Sequence, residues 1–358
     1  MLLVSMSSSP SLLYLASHRA QVRVAASSNV GANGSGSFPT FLPIAVEHIR
    51  DGAAIQMAKR IERLPVQTGF SGSPIMSSCV RPLKQQQTKD PVVLLHGFDS
   101  SCLEWRYTYP LLEEAGFEAW AVDVLGWGFS DLETRPPSDV ASKREHLYQF
   151  WRSYIKRPMV LVGPSLDAAV AIDFAVNYPE TVSKLIFIGA SVYAEGTGDM
   201  TRLPKFVPYA GVFMLKSLPL RLLATRLAFK NIPSGLIFFD WVQIGYLHCL
   251  LPWWEDATVE FMISGGYNVI NQIKQVPHKC LVLWGEDDEI IRNKQAFRLH
   301  QELQHATLRQ VRQCGHLPHV EKPRESATHV LDFLASENVD KLEQTSSTLG
   351  TDDQNQIG

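Results

Sequence analysis

Short apolar runs separated by stretches of helical spacing recur along most of the chain. The runs at 92–95, 117–122, 159–162, 185–188 and 280–284 are each followed by glycine or a turn, and 308–311 adds a last one. Buried strands read this way, whereas 142–155 and 166–177 place their apolar residues at the period of a helix. A closing helix is expected at 324–334. Strand and helix in alternation predict an α/β chain with a mostly parallel, twisted sheet and helices on both faces. In an open sheet of that kind ligands bind beyond the carboxyl ends of the strands. The loops directly after the strands are therefore where chemistry is expected.

One interval breaks the rhythm. From about 195 to 276 no strand pattern occurs, and Pro204, Pro208, Pro219, Pro233 and Pro252 punctuate a stretch rich in Leu, Phe, Tyr and Trp. It reads as a helical cap inserted into one domain spanning 47–336. Residues 1–46 are rich in Ser, Ala and Gly, carry His18, Arg19 and Arg23, and hold no acid before Glu47, the composition of an organelle transit peptide. Residues 337–358 are polar and without aromatics, and a disordered tail is expected there.

Composition narrows the function classes. The chain has 358 residues, a net charge of −3, and is 45% hydrophobic and 19% charged. Whole-chain composition gives neither the basic footprint of a nucleic-acid binder nor a sign of a polybasic membrane patch, so a small-molecule partner is expected, with peripheral membrane contact left open. No apolar run reaches the roughly 18 residues of a spanning helix. Cys79, Cys102, Cys249, Cys280 and Cys314 form no CxxC pair, which argues for isolated thiols and against a metal site.

Candidate chemistry gathers where the strands end. Gly163-Pro164-Ser165-Leu166-Asp167 lies between a strand and a helix, as a nucleophile elbow does. Such a turn lifts the serine hydroxyl into the cleft and turns the Leu166 amide toward a reacting carbonyl oxygen. His96-Gly97-Phe98 follows the first strand, where the Phe98 amide is the expected second donor of an oxyanion hole. Asp123-x-x-Gly126-x-Gly128-x-Ser130 follows the second strand, Trp284-Gly285-Glu286-Asp287-Asp288 the fifth and Cys314-Gly315-His316-Leu317-Pro318-His319 the last. Serine, acid and histidine thus occur in that order.

On these motifs the chain, from about 91 to 334, resembles the α/β-hydrolase superfamily. The cap and the stretch from Gly315 to Pro323 resemble the group that contains small esterases, carbon–carbon bond hydrolases, epoxide hydrolases and haloalkane dehalogenases. The wording around Ser165 and at 96–101 resembles chloroplast-targeted plant hydrolases, which makes the plastid the expected destination and the mitochondrion the alternative. Carried over, the resemblance implies Ser165 as nucleophile, His316 as general base and Asp288 as the acid that orients it, with Asp287 the competing acid. An imidazole must take the hydroxyl proton because a neutral serine is a poor nucleophile. Serine in place of aspartate at the elbow excludes the epoxide-hydrolase and dehalogenase chemistries.

The implied activity is hydrolysis of a carboxylic ester or related acyl compound through an acyl-serine, with no metal and no organic cofactor. Phe238, Phe239, Trp241, Trp253 and Trp254 in the cap suggest an apolar substrate, although the cap's own core is an equal reading of them. A carbon–carbon bond hydrolase, an acyltransferase and a catalytically weak ligand-binding protein are the alternatives. The last is motivated by Asp167, which stands where the family has a very small residue and whose charge would oppose an oxyanion. His319 and His96 are expected to be structural, the former bonding loop backbone, and Cys102 and Cys314 buried and inert. His248 in the cap is left open.

Overall fold

A computed structural model describes residues 37–233 and 235–349. Most of the segment read as a leader, and the end of the polar tail, lie outside the described residues. Eight strands form one sheet: β1 (Ile61–Val66), β2 (Ile75–Val80), β3 (Val92–Leu94), β4 (Ala119–Val122), β5 (Met159–Pro164), β6 (Val182–Ile188), β7 (Lys279–Gly285) and β8 (Ala306–Val311). Their order is β1-β2-β4-β3-β5-β6-β7-β8, antiparallel at β1/β2 and β2/β4 and parallel across the other pairs. The six expected strands are present, and β1 and β2 extend the sheet at one edge. Those two escape the pattern because Glu62, Arg63 and Pro65 in β1, and Ser77 and Ser78 in β2, interrupt any apolar run.

Side chains of the central strands alternate between two cores. Val93, Leu95, Val122 and Leu161 pack on one face with Val170 and Phe174, and Val92, Leu94, Val160 and Val162 pack on the other with Leu103, Trp105 and Leu112. Strands buried on both faces read as unbroken apolar runs, which is why they stand out in the sequence. The helices that cover them are α1 (Gly52–Ala58), α2 (Tyr109–Glu114), α3 (Val140–Phe150) and α4 (Asp167–Asn177). Asp51 caps α1 by accepting from the amides of Ala53 and Ala54, and Asp139 caps α3 by accepting from that of Ser142. Nearly all of α4 is buried, and its many alanines let it lie close to the sheet.

Between β6 and β7 the chain is helical: α5 (Phe206–Leu215), α6 (Leu218–Ala228), α7 (Leu236–Tyr246) and α8 (Trp254–Ile263). After β7 come α9 (Lys294–Glu302), α10 (Pro318–Glu321) and α11 (Pro323–Leu349). Two boundaries differ from expectation. Phe38, Phe41, Leu42 and Val46 pack into the core, so folded chain begins ahead of residue 47. The tail is helical as far as Leu349, continuing the helix already nucleated at Pro323.

The strand order reverses between β3 and β5, which leave the sheet centre in opposite directions along the chain. A crevice opens at such a switch point, beyond the carboxyl ends of the two strands. Phe98 follows β3 and Ser165 follows β5.

Candidate active site

The backbone at Ser165 has φ +50°, a left-handed conformation uncommon for a residue with a side chain. It is held from both sides: the Ser165 amide donates to Ile188 O at 2.8 Å, and its carbonyl accepts from the Ser191 amide at 2.9 Å. The turn closes so tightly that a Cβ on Gly163 would lie 2.3 Å from the carbonyl oxygen of Asp167. The steric demand for a small residue therefore falls on Gly163, and the side chain of residue 167 is free to be larger.

Ser165 Oγ lies 2.9 Å from His316 Nε2, and His316 Nδ1 lies 2.8 Å from Asp288 Oδ2. The second carboxylate oxygen of Asp288 accepts from the amides of Ile290 and Ile291, both at 2.8 Å, which fixes its rotamer. Asp288 and His316 are buried while Ser165 is half-buried, so the hydroxyl is the accessible end of the line. Asp287 turns away and pairs with Lys230 at 3.7 Å. His316 rests over Gly189, where an added Cβ would come within 2.7 Å of the His316 carbonyl oxygen at a backbone φ of +53°. The histidine loop is clamped by Glu321, which accepts from the Gly315 amide at 2.8 Å and from the amides of Lys230 and Asn231 after α6.

The loop after β3 is built with similar redundancy. His96 is fully buried; its Nε2 accepts from the Val124 amide at 3.1 Å, so the proton sits on Nδ1 and is donated to Gly97 O at 2.8 Å. Glu104 accepts from the Gly97 amide at 3.1 Å and from His319 Nε2 at 2.8 Å. Burial opposes ionisation of Glu104, yet the bond to His319 and the nearby imidazoles hold its carboxyl down at about 2. His319 is thus structural, as expected, but its partner is a carboxylate instead of loop backbone. Among the described residues no protein group accepts from the amides of Phe98 or Leu166. The half-buried Phe98 ring packs edge-on against Trp127 at 5.2 Å and lies 6.5 Å from Phe261 of α8, both of them buried, so a core aromatic cluster backs it.

Directly after Phe98, Asp99 adopts φ +55° and points its carboxylate into the helical segment. It accepts from Arg221 at 2.5 Å, His248 Nε2 at 2.9 Å and Trp254 Nε1 at 2.7 Å. Burial works against its charge, but Arg221 and these donors keep its carboxyl below the usual range. Burial likewise lowers His248, which is neutral and donates to Asp99. The Cys249 thiol joins this cluster at 3.8 Å, but burial raises it far above its ordinary range and the guanidinium fills the space beside the carboxylate. The chemistry of the set is that of an ion-paired junction, and it does not suit a metal.

Asp167 departs from its expected behaviour. It is fully buried, neither carboxyl oxygen has a hydrogen-bond partner, and burial raises its carboxyl well above the usual range. Burial therefore favours its uncharged form, against the pull of nearby Lys143, and so weakens the conflict foreseen with an oxyanion. Nearby Lys143, over the ring of Trp127 at 3.8 Å and donating to Leu125 O, is brought down to about 7 by burial. Asp123, in the loop after β4, accepts from the amides of Cys102 at 2.6 Å and Phe129 at 2.8 Å and from the Ser78 hydroxyl, which makes that motif a structural keystone. The cap aromatics have other engagements: Trp254 binds Asp99, Trp241 packs on Phe229 at 4.5 Å and bonds Tyr107, and Phe239 is exposed. All five cysteines are free and buried.

Sequence reading singled out the serine, acid and histidine but gave no role to Glu104, Asp99 or Glu321. Each has a partner distant in the chain, and the resemblances at 96–101 and at Gly315 to Pro323 covered Asp99 and Glu321 without giving either a role.

Residues 92–328 match the model of the Alpha/beta hydrolase family. The chain is 58% identical over 309 residues, 86% of its length and 93% of the relative's, to the "Alpha/beta hydrolase domain-containing protein VTE7" of Arabidopsis thaliana. It is 25% identical over 261 residues, 70% of its length and 90% of the relative's, to the 2-hydroxy-6-oxo-2,4-heptadienoate hydrolase of Pseudomonas putida. Among solved structures, a thermophilic esterase from Thermogutta terrifontis superposes with a TM-score of 0.62 at 16% identity, covering 77% of this chain and 98% of that one.

Proposed function

Because the chain belongs to the alpha/beta hydrolase family, we propose that it is a serine hydrolase that cleaves a carboxylic ester or related acyl compound of apolar character. The observation that carries the reading is the continuous line Ser165–His316–Asp288, at 2.9 and 2.8 Å, with the serine in a left-handed turn. His316 Nε2 takes the proton as Ser165 Oγ attacks the acyl carbon, and Asp288 holds the proton on Nδ1 and balances the imidazolium. The amides of Phe98 and Leu166 donate to the oxyanion. Collapse of the tetrahedral intermediate breaks the bond to the alkoxy group, which leaves with the proton from His316. Water then repeats the sequence and frees the acid and Ser165. The half-buried Phe98 ring, backed by the buried Trp127 and Phe261, supports an apolar substrate.

A second reading, hydrolysis of a carbon–carbon bond by the same residues, draws on the similarity to the Pseudomonas putida hydrolase. Plastid delivery is proposed from the acid-free N-terminal composition. A fluorophosphonate probe tests the central claim, since it reacts with a serine activated by histidine. Labelling of the parent protein and its loss in Ser165→Ala and His316→Ala are expected. Undiminished labelling of Ser165→Ala would overturn the assignment.

A further inference from the structure

The helices between β6 and β7 carry a surface that the proposed hydrolysis does not use. From residue 200 to residue 239 the chain contains Arg202, Lys205, Lys216, Arg221, Arg226 and Lys230 and no Asp or Glu, a local excess of six positive charges in a chain of net charge −3. Arg221 is committed to Asp99 and Lys230 pairs with Asp287, whereas Lys205 and Arg226 are exposed.

The same stretch exposes large apolar side chains. On α5, Phe206 is 73% exposed and Phe213 is 62% exposed, while Pro208 and Val212 are buried. Phe206, Tyr209 and Phe213 follow the i, i+3, i+7 spacing of one helix face, and Pro208 and Val212 mark the opposite face, which packs on α8. On the following helices Leu218, Leu223, Leu236 and Phe239 are 58%, 48%, 62% and 51% exposed. Single exposed leucines are ordinary, but successive helices each presenting bulky apolar residues mark an interaction surface.

Geometry and charge select the partner. α5 and α6 have 10 and 11 residues and meet at a 63° bend. At about 1.5 Å per residue each is roughly half the length needed to cross a hydrocarbon layer. Such helices suit a position lying in a bilayer interface. Two copies of the chain meeting through this face would set Lys205 and Arg226 of one against those of the other, while Asp256, the acid beside Tyr209, is already paired with Arg135; this disfavours self-association. An anionic lipid surface complements both features.

We propose that α5, α6 and the first turn of α7 form a docking face for an anionic lipid bilayer, with Phe206 and Phe213 entering the acyl boundary and Lys205 and Arg226 meeting lipid phosphates. The proposal is independent of the hydrolase reading. Vesicle flotation of the full chain tests it, using phosphatidylcholine vesicles with and without about 30% phosphatidylglycerol. Binding to the anionic vesicles, weakened by salt and by omission of phosphatidylglycerol, is expected. Lys205→Ala with Arg226→Ala should lower partitioning about fivefold per charge removed. Phe206→Ser with Phe213→Ser should nearly abolish it, and an unchanged thermal unfolding profile verifies that the variant is folded. Failure of the parent to float with anionic vesicles, or equal binding by the parent and both variants, would overturn the proposal. So would a lipid-free dimer, seen by light scattering, that the Phe206→Ser and Phe213→Ser variant converts to monomer.

Discussion

The guanidinium of Arg221 on α6 lies 2.5 Å from the carboxylate of Asp99, one residue beyond the proposed oxyanion donor Phe98. A left-handed turn brings Asp99 there, and His248 and Trp254 complete its shell. The seating of the helical segment and the aim of the Phe98 amide are thereby one structural variable. Asp99→Asn should lower kcat roughly tenfold with KM within about twofold, since the donor acts chiefly in the transition state. Asp99→Ala, which strips a buried guanidinium of its counter-charge, should cost about 3–5 kcal/mol in urea unfolding. A folded Asp99→Asn protein with unchanged kcat would sever the link.

The two neighbouring acids after β7 should behave oppositely. Asp288→Asn reverses the polarity of the bond to His316 Nδ1 and should reduce kcat by about 10³–10⁴. Asp287→Asn loses only a 3.7 Å pair with an exposed lysine and should change kcat by less than about twofold. Steady-state turnover of one ester by both variants checks this.

Asp167 provides a test of burial against charge. Because burial favours the uncharged carboxyl, Asp167→Asn should leave kcat within about twofold at neutral pH. Asp167→Ala removes two buried oxygens without partners and should raise stability by about 1 kcal/mol. A large rate gain in Asp167→Asn would mean that the group is ionised after all.

Acid should weaken the fold through His146. Burial lowers this imidazole to about 3, and its Nε2 lies 2.5 Å from Ser77 Oγ. The unfolded chain takes up a proton near 6.5 that the folded chain refuses, so stability is full above that pH and falls by about 1.4 kcal/mol per unit as the pH drops toward 3. Glu104, held at about 2, adds a loss of the same sign between 4.5 and 2. Urea unfolding between pH 7.5 and 5 should show a shallower slope for His146→Gln than for the parent. Identical slopes would refute the role given to His146.

If import trims the chain, cleavage should fall ahead of Phe38, because Phe38, Phe41, Leu42 and Val46 pack into the core. Mass spectrometry of the protein recovered from plastids reads the new N-terminus directly. Recovery with Met1 intact from the cytosol would dismiss the leader.

Local pattern was enough for the parallel strands, α4 and the serine turn. Strands buried on both faces must be continuously apolar, and a strand-to-helix turn bearing Gly163 and Ser165 has few alternative geometries. The order of serine, acid and histidine likewise follows the chain. What the sequence could not determine depends on contacts across 100 residues or more, such as Asp99 with Arg221 and Glu104 with His319. Those pairs leave no periodic trace because each partner sits alone in its own segment. The choice between Asp288 and Asp287 turned on which carboxylate the β7 turn aims at His316. Asp167 is the clearest division of labour: its sequence position predicted a charged obstacle, whereas burial, which only the tertiary structure creates, pushes its carboxyl toward the uncharged form.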